Sequence, residues 1–351
     1  GGAEAGRFYS HMNFTFRTVP SVIFEPGASA RLGEIVSSRM KRPVIVTDKG
    51  IVSAGLINPA LKSLKEERVD FHLFDGIEAD PPARIVRQSV EIARAHKADG
   101  VIGFGGGSSM DTAKIIAVLL NSSQKLEEIY GTGNIKGGRA PLALVPTTSG
   151  TGSEVTDIAV VTTDDDQKMG VLGDQMFADV AILDPLLTHG LPRHVTAATG
   201  VDAMVHAIEA YTNRHRKNPV SDALAREALR LLSSNIVAAC ETPGDAAVRA
   251  DMLLGAMLAG QAFTNSPVGA VHGMAYPLGA LFHIPHGLSN SLMLEPVLRF
   301  NAGAAAPLYA ELGDVIGANS SGGFAERADA VIGKLMDIFS ATGVERRLSN
   351  L

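Results

Sequence analysis

The chain changes its periodicity once, near Asp184, and that change constrains the fold more than any single motif. Before it, short apolar runs alternate with helix-like segments. "RPVIVTD" (42–48), "VDFHLFDG" (69–76), "GVIGFGGG" (100–107) and "APLALVPTT" (140–148) read as strands. "PPARIVRQSVEIARAHKAD" (81–99) reads as an amphipathic helix with proline near its start. Strand and helix in alternation predict a mostly parallel sheet covered by helices. After the change, "LPRHVTAATGVDAMVHAIEAYT", "PVSDALAREALRLLSSNIVAAC" and "AAVRADMLLGAMLAGQAFTN" are long, alanine-rich and periodic at helical spacing. They predict an all-helical second domain. The boundary falls in "LDPLLTHGLP" (183–192), where two prolines punctuate the chain, giving an α/β domain over 12–188 and a helical domain over 189–351.

Length and composition agree with this division. The chain has 351 residues, 46% of them apolar, enough for two sizeable cores. Its net charge of -6 and lack of a long basic run exclude nucleic acid and an anionic membrane surface as expected partners. The longest apolar runs, such as 115–120, are too short to span a bilayer. The single cysteine, Cys240, has no partner for an internal disulfide, and a cytoplasmic location is expected. "GGAEAGRFYSHM" reads as an appended leader, with the natural start near Met12. It does not pair basic residues with an apolar core, so no secretion signal is read there.

Two glycine-bearing loops follow strands. "GFGGGSSMDTAK" (103–114) opens a helix, with Ser108 or Ser109 expected to cap it and Asp111 in its first turn. Such a turn lets backbone N–H groups approach a phosphate. Its spacing departs from G-x-G-x-x-G, since Ser108 stands where the third glycine would, and a plain tight turn remains an equal reading. "PTTSGTGSEVT" (146–156) follows another strand and is dense in hydroxyls. Two loops of this kind at strand ends suit a nucleotide site in an open sheet. Asp48 ends an earlier strand, where a carboxylate either caps a turn or binds the adenine ribose and repels a 2′-phosphate.

The second half carries a possible ligand set. Asp202 and His206 are four residues apart, which puts them on one helix face. Alone, such a pair is as well explained by a hydrogen bond. His272, in an apolar helical context, and His286, in "IPHG" at a loop or helix start, would complete a set of one carboxylate and three imidazoles. That set suits Fe²⁺ or Zn²⁺. An ion held with an open position is a Lewis acid that can hold a substrate oxygen.

Through "GFGGGSSMDTAK", "PTTSGTGSEVT", "ATGVDAMVHAIEAY" and "VHGMAYPLG…IPHG" the chain resembles the iron-containing, or group III, alcohol dehydrogenases. The likeness runs from about Phe14 to Asn301. It implies an N-terminal dinucleotide-binding domain and a helical C-terminal domain, an architecture shared with dehydroquinate synthase, with the active site in the cleft. It also implies Asp202, His206, His272 and His286 as metal ligands, and Asp48 as the residue selecting NAD. Gly106, Gly107, Ser108 and Asp111 are implied at the pyrophosphate, with Asp80, Thr147, Thr148, Thr151 and Lys168 also lining the cofactor. The expected activity is NAD-linked interconversion of an alcohol and an aldehyde or ketone by hydride transfer, in a homodimer.

Two departures stand out. The commoner family motif reads H-G-M-A-H, and here Tyr276 takes the place of the last histidine, making it the candidate catalytic residue. A tyrosine there also occurs in relatives similar to hydroxyacid-oxoacid transhydrogenases, so a hydroxy acid is an alternative substrate. His283 reads as a loop residue. Family members usually continue with helical sequence beyond "GVERRLSNL", so the chain is expected to be truncated. A lyase resembling dehydroquinate synthase would need a cluster of basic residues, and the run Arg214–Lys217 reads instead as a solvated helix end. A non-catalytic nucleotide sensor is the third reading. Residues 264–268 and those around Phe282 are expected to shape the pocket, mostly with small or apolar side chains.

Overall fold

A computed structural model describes residues 13–318 and 320–350. The expected leader and the start at Met12 lie outside the described residues. The strands are β1 (Val22–Phe24), β2 (Pro43–Val46), β3 (His72–Phe74), β4 (Gly100–Gly105), β5 (Gly131–Thr132), β6 (Leu142–Pro146), β7 (Ile158–Thr162), β8 (Lys168–Leu172) and β9 (Val180–Leu183). Among them run the helices α1 (Leu32–Val36), α2 (Lys49–Ser53), α3 (Asn58–Glu66), α4 (Ala83–Ala95) and α5 (Gly107–Leu119). The later helices are α6 (Arg193–Thr212), α7 (Pro219–Glu241), α8 (Ala246–Asn265), α9 (Ala270–Phe282), α10 (His286–Ile316) and α11 (Phe324–Thr342).

Six strands form one parallel sheet in the order β1-β9-β6-β4-β2-β3. The alternation of side chains across each strand sorts them into two cores. Val44, Val46, Val101, Leu142 and Leu144 pack on one face, and Ile45, Ile102, Phe104, Ala143 and Val145 on the other. Both faces are covered, which is why these strands read as unbroken apolar runs. The chain steps from β3 on one side of β2 to β4 on the other. The crevice beyond the carboxyl ends of β2 and β4 is therefore a topological switch point, where open α/β sheets bind ligands.

A smaller sheet, β5-β8-β7, was not foreseen in the sequence. The acidic run "TDDDQ" (163–167) is the tip of its β7–β8 hairpin, and Asp164, Asp165 and Asp166 there are exposed. Lys168 belongs to β8, not to the turn.

In the helical part, α6 packs against α7, α8 and α10. From Gly200 to Tyr211 it is buried on every side, so its apolar residues are spread around the helix and not gathered in one stripe. The run Arg214–Lys217 lies after the end of α6 at Thr212, in the link to α7. It is not a helix end. Lys217 is tied down, donating to the Tyr211 carbonyl and pairing with Asp222 at 2.8 Å. No helix among the described residues is long and apolar enough to cross a membrane.

Candidate active site

The glycine loop after β4 turns sharply into α5. Gly105 has φ +155°, and a Cβ there would stand 2.6 Å from Ser109 Oγ. At Gly107 a Cβ would press within 2.8 Å of Thr151 Cγ2, so the two hydroxyl-and-glycine loops touch only because that side chain is missing. The backbone joins them too, since Thr147 N donates to the Gly105 carbonyl. The expected serine cap is corrected. The N-cap of α5 is Gly106, without a side-chain hydrogen bond, because the helix starts two or three residues earlier than expected. Ser108 and Ser109 fall inside the first turn, and Ser108 Oγ accepts from Asp80 N at 3.2 Å. A helix start of this kind leaves its backbone donors for an anion.

Asp111 lies one turn further in, not in the first turn, and is fully committed. Its carboxylate accepts from Ser153 Oγ at 2.6 Å and from Val160 N at 2.9 Å. Burial raises its pKa above the ordinary value, against the opposing charge of Lys114 and those two hydrogen bonds. Asp48 does cap: it precedes α2, and its Oδ1 accepts from Ile51 N at 3.1 Å. Its Oδ2 also lies 3.6 Å from where a Gly105 Cβ would be, so the carboxylate reaches the glycine turn. Lys168 pairs with Asp80 at 2.7 Å and donates to Thr162 Oγ1 at 3.0 Å.

The four proposed ligands arrive from three helices. Asp202 and His206 come from α6, His272 from the first turn of α9, and His286 is the first residue of α10. Two close backbone approaches set this up. Gly287 lies so near α6 that a Cβ would meet the Ala198 carbonyl at 2.2 Å. Gly152, at φ +63°, presses the second loop onto α8 at Gly260. One donor atom from each of the four residues lies within 4.8 Å of all the others. Asp202 Oδ1 stands 3.8 Å from His206 Nε2, 3.7 Å from His272 Nε2 and 3.5 Å from His286 Nε2. With bonds of about 2.0–2.2 Å, neighbouring ligands of a tetrahedral ion stand roughly 3.4 Å apart, so the set fits a divalent cation.

The electrostatics agree. Burial pushes His206 down to about 4, and burial likewise lowers His286, so both rings offer lone pairs near neutrality. Burial opposes ionisation of Asp202, but the three imidazoles and Asn290 outweigh it and hold its pKa below the ordinary value. Asn290 Nδ2 donates to Asp202 Oδ1 at 2.6 Å and lies 3.2 and 3.4 Å from the Nε2 atoms of His272 and His286. Its own Oδ1 is buried and has no partner among the described residues.

These residues share one cavity with the glycine loops. Asp80, Gly107, Ser108, Asp111, Thr151 and Lys168 line it together with the four ligand candidates and Tyr276. Asp48, Gly106, Thr147 and Thr148 do not line it. Phe263 and Val268 form part of its apolar wall, with the Phe263 ring tilted 30° against that of His206 at 4.4 Å between centroids. The expected pocket roles of Thr264 and Phe282 are corrected. Thr264 lines a separate polar cleft beside Arg17 and Arg216, and Phe282 points outward, 64% exposed, because the last turn of α9 faces away from the cavity. His283 caps the end of α9 in the left-handed conformation and does not line the cavity.

Sequence reasoning missed two polar residues here. Asn290 follows His286 by four residues and Glu209 follows His206 by three, so each lies on the ligand's own helix face. Glu209 accepts from Val271 N and lies 2.7 Å from His272 Nδ1. The helical spacing was the available signal.

The comparisons with known proteins point the same way. Residues 20–185 match the family described as "Iron-containing alcohol dehydrogenase", and residues 196–351 match "Fe-containing alcohol dehydrogenase family, C-terminal". The long-chain-alcohol dehydrogenase 1 of Geobacillus thermodenitrificans is 38% identical over 314 residues, covering 87% of this chain and 79% of that protein. A solved 1,3-propanediol oxidoreductase superposes with a TM-score of 0.93 at 32% identity, covering 97% of this chain and 89% of the other. A sulfoacetaldehyde reductase from Bifidobacterium kashiwanohense, solved in complex with NAD+, gives 0.85 at 27% identity, with the same coverage. Matched along nearly its whole length and in both halves, the chain belongs to the iron-containing alcohol dehydrogenase family and is an NAD-linked alcohol and aldehyde oxidoreductase.

Proposed function

We propose that the chain interconverts a small uncharged primary alcohol and its aldehyde, with Fe²⁺ held by Asp202, His206, His272 and His286. Zn²⁺ satisfies the same donors. The observation that carries this reading is the convergence of those four donors in the cavity that also holds the start of α5. When bound, the ion supplies Lewis acidity at the substrate oxygen and the nicotinamide supplies or takes the hydride. The protein's part is placement. The first turn of α5 offers backbone N–H groups to the cofactor's phosphates, and Asp48 offers a carboxylate to its ribose. Gly106, Thr147 and Thr148 shape the turn that Gly107, Ser108 and Thr151 present to the cavity. Phe263 and Val268 keep the substrate end apolar and exclude water.

The uncharged substrate follows from the cavity's charges. Besides its histidines, the one cation among the described residues that line it is Lys168, which Asp80 already pairs at 2.7 Å. Beyond the ion itself, a hydroxy acid or phosphorylated substrate would find no unpaired protein cation among the described residues that line it. We also assign the chain two domains, 12–188 and 189–351, and a cytoplasmic homodimer. Edge strand β1 exposes Val22 and Phe24 for a second copy, and Cys240 suits a reducing compartment.

The test is removal and return of the metal. Chelation followed by verified metal loss should abolish NADH formation from short primary alcohols, and Fe²⁺ added anaerobically should restore it. Full turnover by metal-free protein would overturn the reading.

A further inference from the structure

Glu209 lines no part of the cavity, yet it holds the helix that supplies one ligand. It lies on α6, one turn beyond His206 and two beyond Asp202, and is buried. Both of its oxygens are engaged by the first turn of α9. Oε1 accepts from Val271 N at 2.7 Å, and Oε2 stands 2.7 Å from His272 Nδ1. Gly269, just before α9, leaves room for this: a Cβ there would lie 3.2 Å from Oε1.

Two consequences follow from elementary chemistry. An ionised carboxylate only accepts hydrogen bonds, so His272 must carry its proton on Nδ1. Its Nε2 lone pair is then aimed towards Asp202, 3.7 Å away. His206 has no such brace, since its Nδ1 is buried without a partner among the described residues. The second consequence concerns α9 itself. Only Val271, His272 and Ala275 of this helix are buried, while Met274, Leu281 and Phe282 are exposed. Its N-cap, Gly269, makes no side-chain hydrogen bond. The helix is therefore seated by its first turn, and a negative charge there also suits the positive end of its dipole.

We propose that Glu209 is a positioning residue that fixes the tautomer of His272 and the seat of α9 together. One carboxylate thereby sets ion affinity and the placement of the helix that bears Tyr276. The inference rests on the metal-site reading above, and the experiment separates the two.

The full chain and its Glu209→Gln and Glu209→Ala variants are titrated with Zn²⁺ against a chromophoric chelator. Imidazole ¹⁵N spectra of the metal-free proteins report the His272 tautomer. Loss of a carboxylate that orients a ligating histidine costs roughly ten- to a hundredfold in metal affinity, and that loss is expected in both variants. His272 is expected to move from the Nδ1–H to the Nε2–H form in Glu209→Ala. A cooperative thermal melt verifies folding, and if Glu209→Ala lacks one, the isosteric Glu209→Gln decides. Folded variants that melt lower but keep wild-type Zn²⁺ affinity and the Nδ1–H form would overturn the proposal, leaving Glu209 a purely structural brace. Wild-type protein that binds no Zn²⁺ would overturn the metal-site reading and this inference with it.

Discussion

The ring of Tyr276 lies flat on that of His286, with centroids 5.7 Å apart and planes 16° from parallel. The stack puts a phenol where the commoner family motif has a second histidine. Burial, with the nearby charges of Asp202, Glu209 and Asp111, pushes that phenol up to about 12. It therefore stays protonated throughout the working range and acts as a hydrogen-bond donor or a wall, not as a base. Tyr276→Phe is expected to lower kcat/KM by less than about tenfold and to leave the pH profile unchanged. Tyr276→His should add a titrating limb at about pH 6–7, where an imidazole changes charge. Steady-state pH–rate profiles of the three proteins decide, and a loss in Tyr276→Phe of about a thousandfold would assign the hydroxyl a direct catalytic part.

Gly287 carries a second expectation. Its Cα sits against α6, and a methyl group would meet the Ala198 carbonyl at 2.2 Å. Backbone cannot yield as a side-chain tip can, so Gly287→Ala must push the start of α10 away from α6. The expected cost is about 1–3 kcal/mol of stability, typical of overpacking. His286 is the neighbouring residue, so Zn²⁺ affinity should fall as well. Urea unfolding and chelator competition measure the two effects. An unchanged metal affinity in the variant would show that α10 can shift without moving His286 from its partners.

How much of this was legible in the sequence depends on the kind of signal. Strands β2, β4 and β6 were readable because both sides of the sheet are covered, which leaves continuous apolar runs. The β7–β8 hairpin was not, since Ile158–Thr162 alternates between buried and half-buried and merges with the acidic tip. Asp202 and His206 could be paired from spacing alone, because a helix fixes their relation. His272 and His286 could not be placed by spacing, because only the packing of α10 on α6 and of α9 on α10 decides where their rings point. Phe282 shows the same limit from the other side: an apolar residue near the site in sequence turns out to face away. Glu209 and Asn290 did carry a helical spacing signal, hidden because a carboxylate and an amide on helices read as ordinary polar residues.

Asp48 combines a cap with a reach towards the glycine turn, and one substitution separates these roles. Asp48→Ser keeps an oxygen for Ile51 N while removing the charge. Stability should then change by less than about 0.5 kcal/mol, since serine is nearly as good an N-cap. The preference for NAD over NADP should fall about tenfold or more, because the repulsion of a 2′-phosphate is gone. Comparing kcat/KM for the two cofactors checks this. An unchanged preference together with a lowered melting temperature would leave Asp48 as a cap alone.

Glu154 and Lys114 give the fold its own pH signature. Glu154 is buried within the second loop and Lys114 beneath it, where Lys114 donates to the Thr156 and Ile158 carbonyls at 3.1 and 2.8 Å. Burial pushes Glu154 up to about 7, against the attraction of Lys114. Burial pushes Lys114 down to about 8, against Asp111, Glu154 and Asp157. A carboxyl with a raised pKa favours folding only while protonated, so its contribution is lost as pH rises from about 4.5 to about 7. A lysine with a lowered pKa opposes folding while charged, so that cost is relieved as pH rises from about 8 to about 10.5. From this pair, stability should fall towards neutrality and recover above it. Glu154→Gln should remove the acid-side slope and leave the alkaline one. The stability of Glu154→Gln relative to wild type should therefore rise by more than about 1 kcal/mol between about pH 5 and pH 7.5, with each pKa unit worth about 1.4 kcal/mol. Urea midpoints across that range measure it, and because the comparison is of slopes, any constant cost of burying the amide cancels. Parallel curves for the two proteins would mean that Glu154 does not titrate between those limits.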